Sequence, residues 1–91
     1  MMTKLAEKEH LLNQCEADLL RIQAIRDELR VIEANRKALE VYYTQEYAAD
    51  YDNLQDTNQH FRVLDQDSIW NVLDDQYREK IGLVKDIVRS I

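Results

Sequence analysis

The chain has no proline and one glycine, Gly82. Turns that depend on these residues are therefore scarce, and long helices are expected in their place. Cys15 is the only cysteine, so an intrachain disulfide is impossible and an oxidising compartment is not indicated. No stretch approaches the roughly 20 apolar residues of a membrane span. The opening "MMTKLAEKEHLL" also lacks the uninterrupted apolar run of a signal peptide. The expectation is a soluble cytoplasmic protein with no membrane association.

Catalytic and metal signatures are missing too. There is no glycine-rich phosphate loop, no metal-spaced set of cysteines and histidines, and no nucleophilic serine motif. His10 and Cys15 are five positions apart, roughly 140° round a helix, and cannot share a metal ion. Asp50, Asp52 and Asp56 lack the glycine and the further acids of a calcium-binding loop. Carboxylate pairs without a concave scaffold are weak grounds for acid–base catalysis. The reading is a chain that is not an enzyme and takes no cofactor or metal.

What is present is charge and helical periodicity. The 91 residues fit a single domain, 1–91, whose lone core contributes only a few kcal/mol of net stability. Oligomerisation is therefore a natural expectation. The net charge of −6 is unevenly distributed. Residues 1–49 hold nine acids against seven bases, and residues 76–91 hold two acids against four bases. Residues 50–75 hold seven aspartates (Asp50, Asp52, Asp56, Asp65, Asp67, Asp74 and Asp75) against Arg62 alone. Such a segment argues against direct nucleic-acid binding, which needs a positive surface to displace phosphate counterions. A basic protein is the partner it would suit.

From Leu12 the large apolar residues run Cys15, Leu19, Ile22, Ile25, Leu29 and Ile32, then Leu39, Tyr43 and Tyr47. Their spacing is close to the heptad value of about 3.5, so the segment reads as a coiled-coil-like helix with one seam. Cys15 falls on that seam and reads as a small core residue. The seam lapses at "EANRKA", residues 33–38, where Arg36 takes the expected apolar position. A second helix is expected over about 67–90, capped by Asp65 or Asp67. Ile69, Trp70, Leu73, Tyr77, Ile81, Val84, Ile87, Val88 and Ile91 give it a broad apolar face. Between the helices, "NLQDTNQHFRVL" reads as a loop pinned by Phe61, Val63 and Leu64. Lys80 interrupts the apolar face and is expected near Glu40, as a partly buried ion pair fixing register.

These lengths predict an all-α fold, an antiparallel bundle of two or three helices. An unbroken helix from residue 4 to about 50 would be ~70 Å long. A compact domain of this size spans only ~30 Å. Either the first helix breaks near residues 33–37, giving three helices, or it stays continuous and buries its first half against another subunit. Both alternatives are consistent with the sequence, since Asn35 without Gly or Pro beside it is a weak breaker.

Two stretches carry a family resemblance, "LEVYYTQEYAADYD" and "VLDQDSIWNVL". The matching positions are Leu39, Glu40, Tyr42, Tyr43, Tyr47, Asp50, Tyr51, Val63, Leu64, Asp67, Ile69, Trp70, Val72 and Leu73. They resemble a family of short, uncharacterised bacterial proteins with a domain of unknown function. That pattern is a long charged helix, then Leu-Glu-x-Tyr-Tyr, a loop and a second helix. The chain departs from it in a loop without Gly or Pro and in lacking a proline near residue 35. The resemblance implies the helical fold and no activity.

Tyr43, Tyr47 and Tyr51 continue the seam at four-residue intervals and are expected to close the end of the core, packing on Trp70 and Phe61. Two functional surfaces follow. Leu12, Leu19, Ile22, Ile25 and Leu29 form a candidate seam for self-association, giving a homodimer that works as a protein–protein interaction module. Asp50, Asp52, Asp56, Asp65, Asp74, Asp75 and Tyr51 form the alternative. They would let the chain act as a small acidic inhibitor or immunity-type protein that blocks a basic, nucleic-acid-binding surface of a partner.

Overall fold

The computed structural model describes residues 2–54 and 61–91. All regular structure in them is helical: α1 spans Met2–Gln45, α2 Tyr47–Leu54 and α3 Gln66–Ser90, with one 3₁₀ turn over Arg62–Leu64. The all-α expectation holds, and α3 lies within a residue of its expected bounds.

α1 is helical straight through residues 33–37, so of the two alternatives left open by the sequence the continuous helix is the one formed. The physical reason lies in the residues. Neighbours Ala34, Arg36, Lys37 and Ala38 are good helix formers, and one asparagine costs a helix only a few tenths of a kcal/mol. The irregularity comes later, at Glu46, between α1 and α2. Even there the ladder continues, with Glu46 N–H donating to Tyr42 O at 2.8 Å and Asp50 N–H to Glu46 O at 3.0 Å.

The chain divides into two units, one up to Asn35 and one from Arg36 to Ile91. In the first, Leu29 and Glu33 are half-buried, and every other residue whose side chain is described is exposed. Its ion pairs, Arg21–Asp18 at 3.1 Å and Arg30–Asp27 at 2.9 Å, are spaced i,i+3 and open to solvent. Each contributes only a few tenths of a kcal/mol.

The second unit holds the core. Ile69, 3% exposed, is the one fully buried residue among those described. Tyr47 of α2 meets Leu64 of the 3₁₀ turn, and Tyr43 of α1 meets Gln66 and Trp70 of α3. Asp65 caps α3: its Oδ1 accepts from Asp67 N–H at 3.1 Å and its Oδ2 from Ser68 Oγ at 2.9 Å. That satisfies one of the four orphan N–H groups at the helix start.

Two packing expectations need correction. Phe61 and Val63 are exposed, and only Leu64 is half-buried, so a single apolar side chain pins this end of the connection. The broad face of α3 is also mostly bare: beyond Ile69 and the half-buried Leu73, its residues Trp70, Tyr77, Ile81, Val84, Ile87 and Val88 are exposed.

Candidate functional site

The ridge of α1 is the larger feature. Leu12 is 57% exposed, Leu19 56% and Ile22 57%, with Ile25 also exposed and Leu29 half-buried. Cys15, expected as a small core residue, is exposed between them. The reason is local: nothing in the first unit but its own helix is available to cover them. A helix leaves its i, i+3 and i+4 positions on one stripe, so these side chains form a continuous apolar line. Most helical stability in proteins comes from packing an apolar face, and in the single chain this face is unpacked.

The seam lapse has a definite chemistry. Arg36 is only 25% exposed at its side chain, and its Nη1 donates to Glu40 Oε1 at 2.7 Å. Glu40 thus has a partner on its own helix. Lys80 sits half-buried on α3.

The tyrosine end is a network of hydroxyls and rings. Tyr43 and Tyr47 lie 5.1 Å apart between centroids, and Tyr47 and Tyr51 stack at 6.0 Å with planes 25° apart. Tyr43 Oη accepts from Gln66 Nε2 at 2.9 Å and from Trp70 Nε1 at 3.3 Å. Tyr47 Oη donates to Leu64 O at 2.8 Å. Tyr42 donates to Asp50 Oδ2 at 3.0 Å. The Tyr42 hydroxyl is held above its ordinary pKa by desolvation, then by the hydrogen bond to Asp50 and the charges of Asp50 and Glu46. Tyr47 is raised as well, by desolvation first and then by Tyr51, Tyr43 and Asp65.

This geometry sorts the candidate acids. Asp50 is half-buried and bound to Tyr42, and Asp65 is committed to its cap. Asp74 pairs with Arg78 Nε at 3.1 Å. Asp52 and Asp75 are exposed, while Asp56 lies outside the described residues. Asp67, missed as a partner-facing acid because it also suits a cap, is exposed beside the tyrosines. Together Tyr47, Tyr51, Leu64, Asp65, Gln66 and Asp67 line an open groove of about 480 Å³. The Tyr42–Asp50 bond was also missed, since Tyr42 lies off the seam. Its i,i+8 spacing over an irregular turn gives no sequence signal.

Among the described residues, no three of His, Cys, Asp and Glu are grouped so as to hold a metal ion, and no helix is long and apolar enough to cross a membrane. No family model, curated protein or solved structure matches the chain.

Proposed function

We propose that the chain is a non-enzymatic protein–protein interaction module that self-associates through the α1 ridge of Leu12, Leu19, Ile22, Ile25 and Leu29. The observation that carries this reading is the exposure of that ridge in a folded chain whose fully buried core, among the described residues, is Ile69 alone. Leaving a continuous apolar stripe in water costs about 25 cal/mol per Å² relative to covering it. The heptad spacing suits the interdigitation of another helix. Size-exclusion chromatography with light scattering tests it. A homodimer at micromolar concentration is expected, and a strict monomer throughout that range contradicts the reading.

A second reading rests on the groove at the tyrosine end. Stacked Tyr47 and Tyr51 beside the carboxylate of Asp67 suit a lysine or arginine side chain of a basic protein, held by ring faces and charge together. This would make the chain an acidic blocker of a basic surface. An arginine-rich peptide titrated at low and high salt is the check. Binding that weakens with salt and with Tyr51→Ala or Asp67→Asn supports it; no binding at low salt removes it.

A further inference from the structure

We infer that α3 carries a second, weaker self-association face, on which α3 of another copy packs antiparallel to the first. This contact is separate from the α1 ridge, and every residue in it belongs to one helix of one unit.

The face is apolar and open. At about 100° per residue, Trp70, Tyr77, Ile81, Val84 and Val88 fall within about 40° of one line down α3. All five are exposed, Tyr77 at 64% and Val88 at 66%. On one side the stripe borders the packed face of the helix, where Ile69 is buried and Leu73, Gln76 and Lys80 are half-buried. On the other side it borders Asp67, Asp74, Arg78, Lys85 and Arg89, at about 40–100° from the line. The remaining acids of the helix, Asp75, Glu79 and Asp86, lie about 140–180° away.

The order of charges along the open border selects the occupant. Both of its acids precede Tyr77, and all three of its bases follow. The helix dipole favours that order only within the first and last turns, which accounts for Asp67 and Arg89 but not for Asp74, Arg78 or Lys85. A border acidic at its start and basic at its end is complementary to itself turned end over end, and that makes a second copy the fitting partner.

Direction follows from the same charges. In an antiparallel pair the open border of one helix runs along the open border of the other. With Trp70 opposite Val88 of the second copy and Tyr77 opposite Ile81, Asp74 comes within one residue of the level of Lys85. Asp67 comes within two residues of the level of Arg89, and two-fold symmetry repeats both pairs. Asp74 already meets Arg78 of its own helix at 3.1 Å, but its side chain stays more than half exposed. In a parallel pair Asp74 and Lys85 of the second copy are 11 residues apart, ~16 Å along the axis, past the Debye length of about 10 Å at 0.1 M salt.

A single stripe about five turns long lies at the low end of interface sizes, below roughly 1,200 Å², so the contact forms near millimolar concentration. Sedimentation equilibrium at low salt tests it, on full-length chains that all carry Leu19→Glu to silence the ridge. The four proteins are Leu19→Glu alone, with Asp74→Lys, with Lys85→Glu, and with both, each first shown by circular dichroism to be helical. Leu19→Glu alone is expected to be monomeric at about 10 μM and to dimerise toward about 1 mM. Each single reversal sets like charges together twice and should weaken that dimer about five- to tenfold. The two reversals together should restore it to within about twofold. A double reversal no better than the singles would overturn the antiparallel arrangement. Absence of any dimer toward millimolar concentration, or a dimer indifferent to every reversal, would overturn the face itself. The ridge is judged separately, on the natural sequence at micromolar concentration, so either contact can fail without the other.

Discussion

Trp70 donates its indole N–H to the Tyr43 hydroxyl at 3.3 Å while its ring meets the Tyr43 ring edge-on, with centroids 5.6 Å apart. With the Gln66–Tyr43 hydrogen bond, this pair joins the last turn of α1 to the first turns of α3. An edge-to-face contact contributes about 0.5–1.5 kcal/mol beyond area burial. Because Trp70 remains more than half exposed, Trp70→Ala is expected to cost about 1–2 kcal/mol, well short of a core tryptophan. Tyr43→Phe keeps the ring, and both of its donors can turn to water, so it should cost under about 1 kcal/mol. Urea unfolding followed by far-ultraviolet circular dichroism compares the two. Equal losses would show that the hydroxyl, and not the ring, joins the helices.

Ile69 is the place where the second unit is most sensitive. As the one fully buried residue among those described, it should lose about 2–4 kcal/mol on Ile69→Ala, from lost transfer energy plus the cavity left behind. Net stability of small domains starts near 5 kcal/mol, so that variant is expected to melt far earlier or not fold. Ile69→Val should cost only about 1 kcal/mol. A thermal midpoint unchanged by Ile69→Ala would mean that the core lies elsewhere.

Alkaline pH acts on the tyrosine network with a definite sign. Tyr42 and Tyr47 both have raised pKa values, so the fold favours the protonated phenols. Their contribution is fully present below the unfolded tyrosine pKa of about 10 and is lost as pH rises through the higher folded values. Stability should therefore not vary on their account from pH 6 to 9 and should fall above about pH 10. Tyr42→Phe and Tyr47→Phe should flatten that fall. Urea midpoints measured across the range decide it, and a fall that keeps its full steepness in the double variant would contradict the assignment.

A charge placed in the ridge should separate the subunits. Leu19→Glu puts a carboxylate where a second copy is to pack, which should weaken association by more than about tenfold. Asp52→Asn and Asp75→Asn lie outside the ridge and should leave association unchanged. On the proposed apolar contact, added salt should not weaken association of the natural sequence. Sedimentation velocity on the four proteins at matched concentrations provides the comparison; a Leu19→Glu protein that still sediments as a dimer would place the interface elsewhere.

The α3 boundaries were legible because Asp65 is an N-cap by chemistry and the apolar spacing after it is helical. The ridge was legible as a pattern for the same reason. The exposure of Cys15 and of most of the α3 face was not, because periodicity identifies a stripe that needs cover without saying whether the same chain provides it. The continuity of α1 past Asn35 turned on a few tenths of a kcal/mol, too little for residue identity to decide. The Arg36–Glu40 pair and the Tyr42–Asp50 bond depend on rotamers and on the irregularity at Glu46, neither of which is encoded in spacing. The candidate acids looked equivalent in the sequence. Only geometry separated Asp50, half-buried on Tyr42, and Asp65, committed to its cap, from Asp52, Asp67 and Asp75.

Amide hydrogen exchange along α1, measured at several protein concentrations, tests the central claim most directly. If a second copy covers the ridge, amides between Leu5 and Leu29 gain protection as concentration rises, while those around Ile69 stay constant. Ridge amides that exchange at the same rate across a hundredfold dilution, in a chain that remains monomeric, would contradict it.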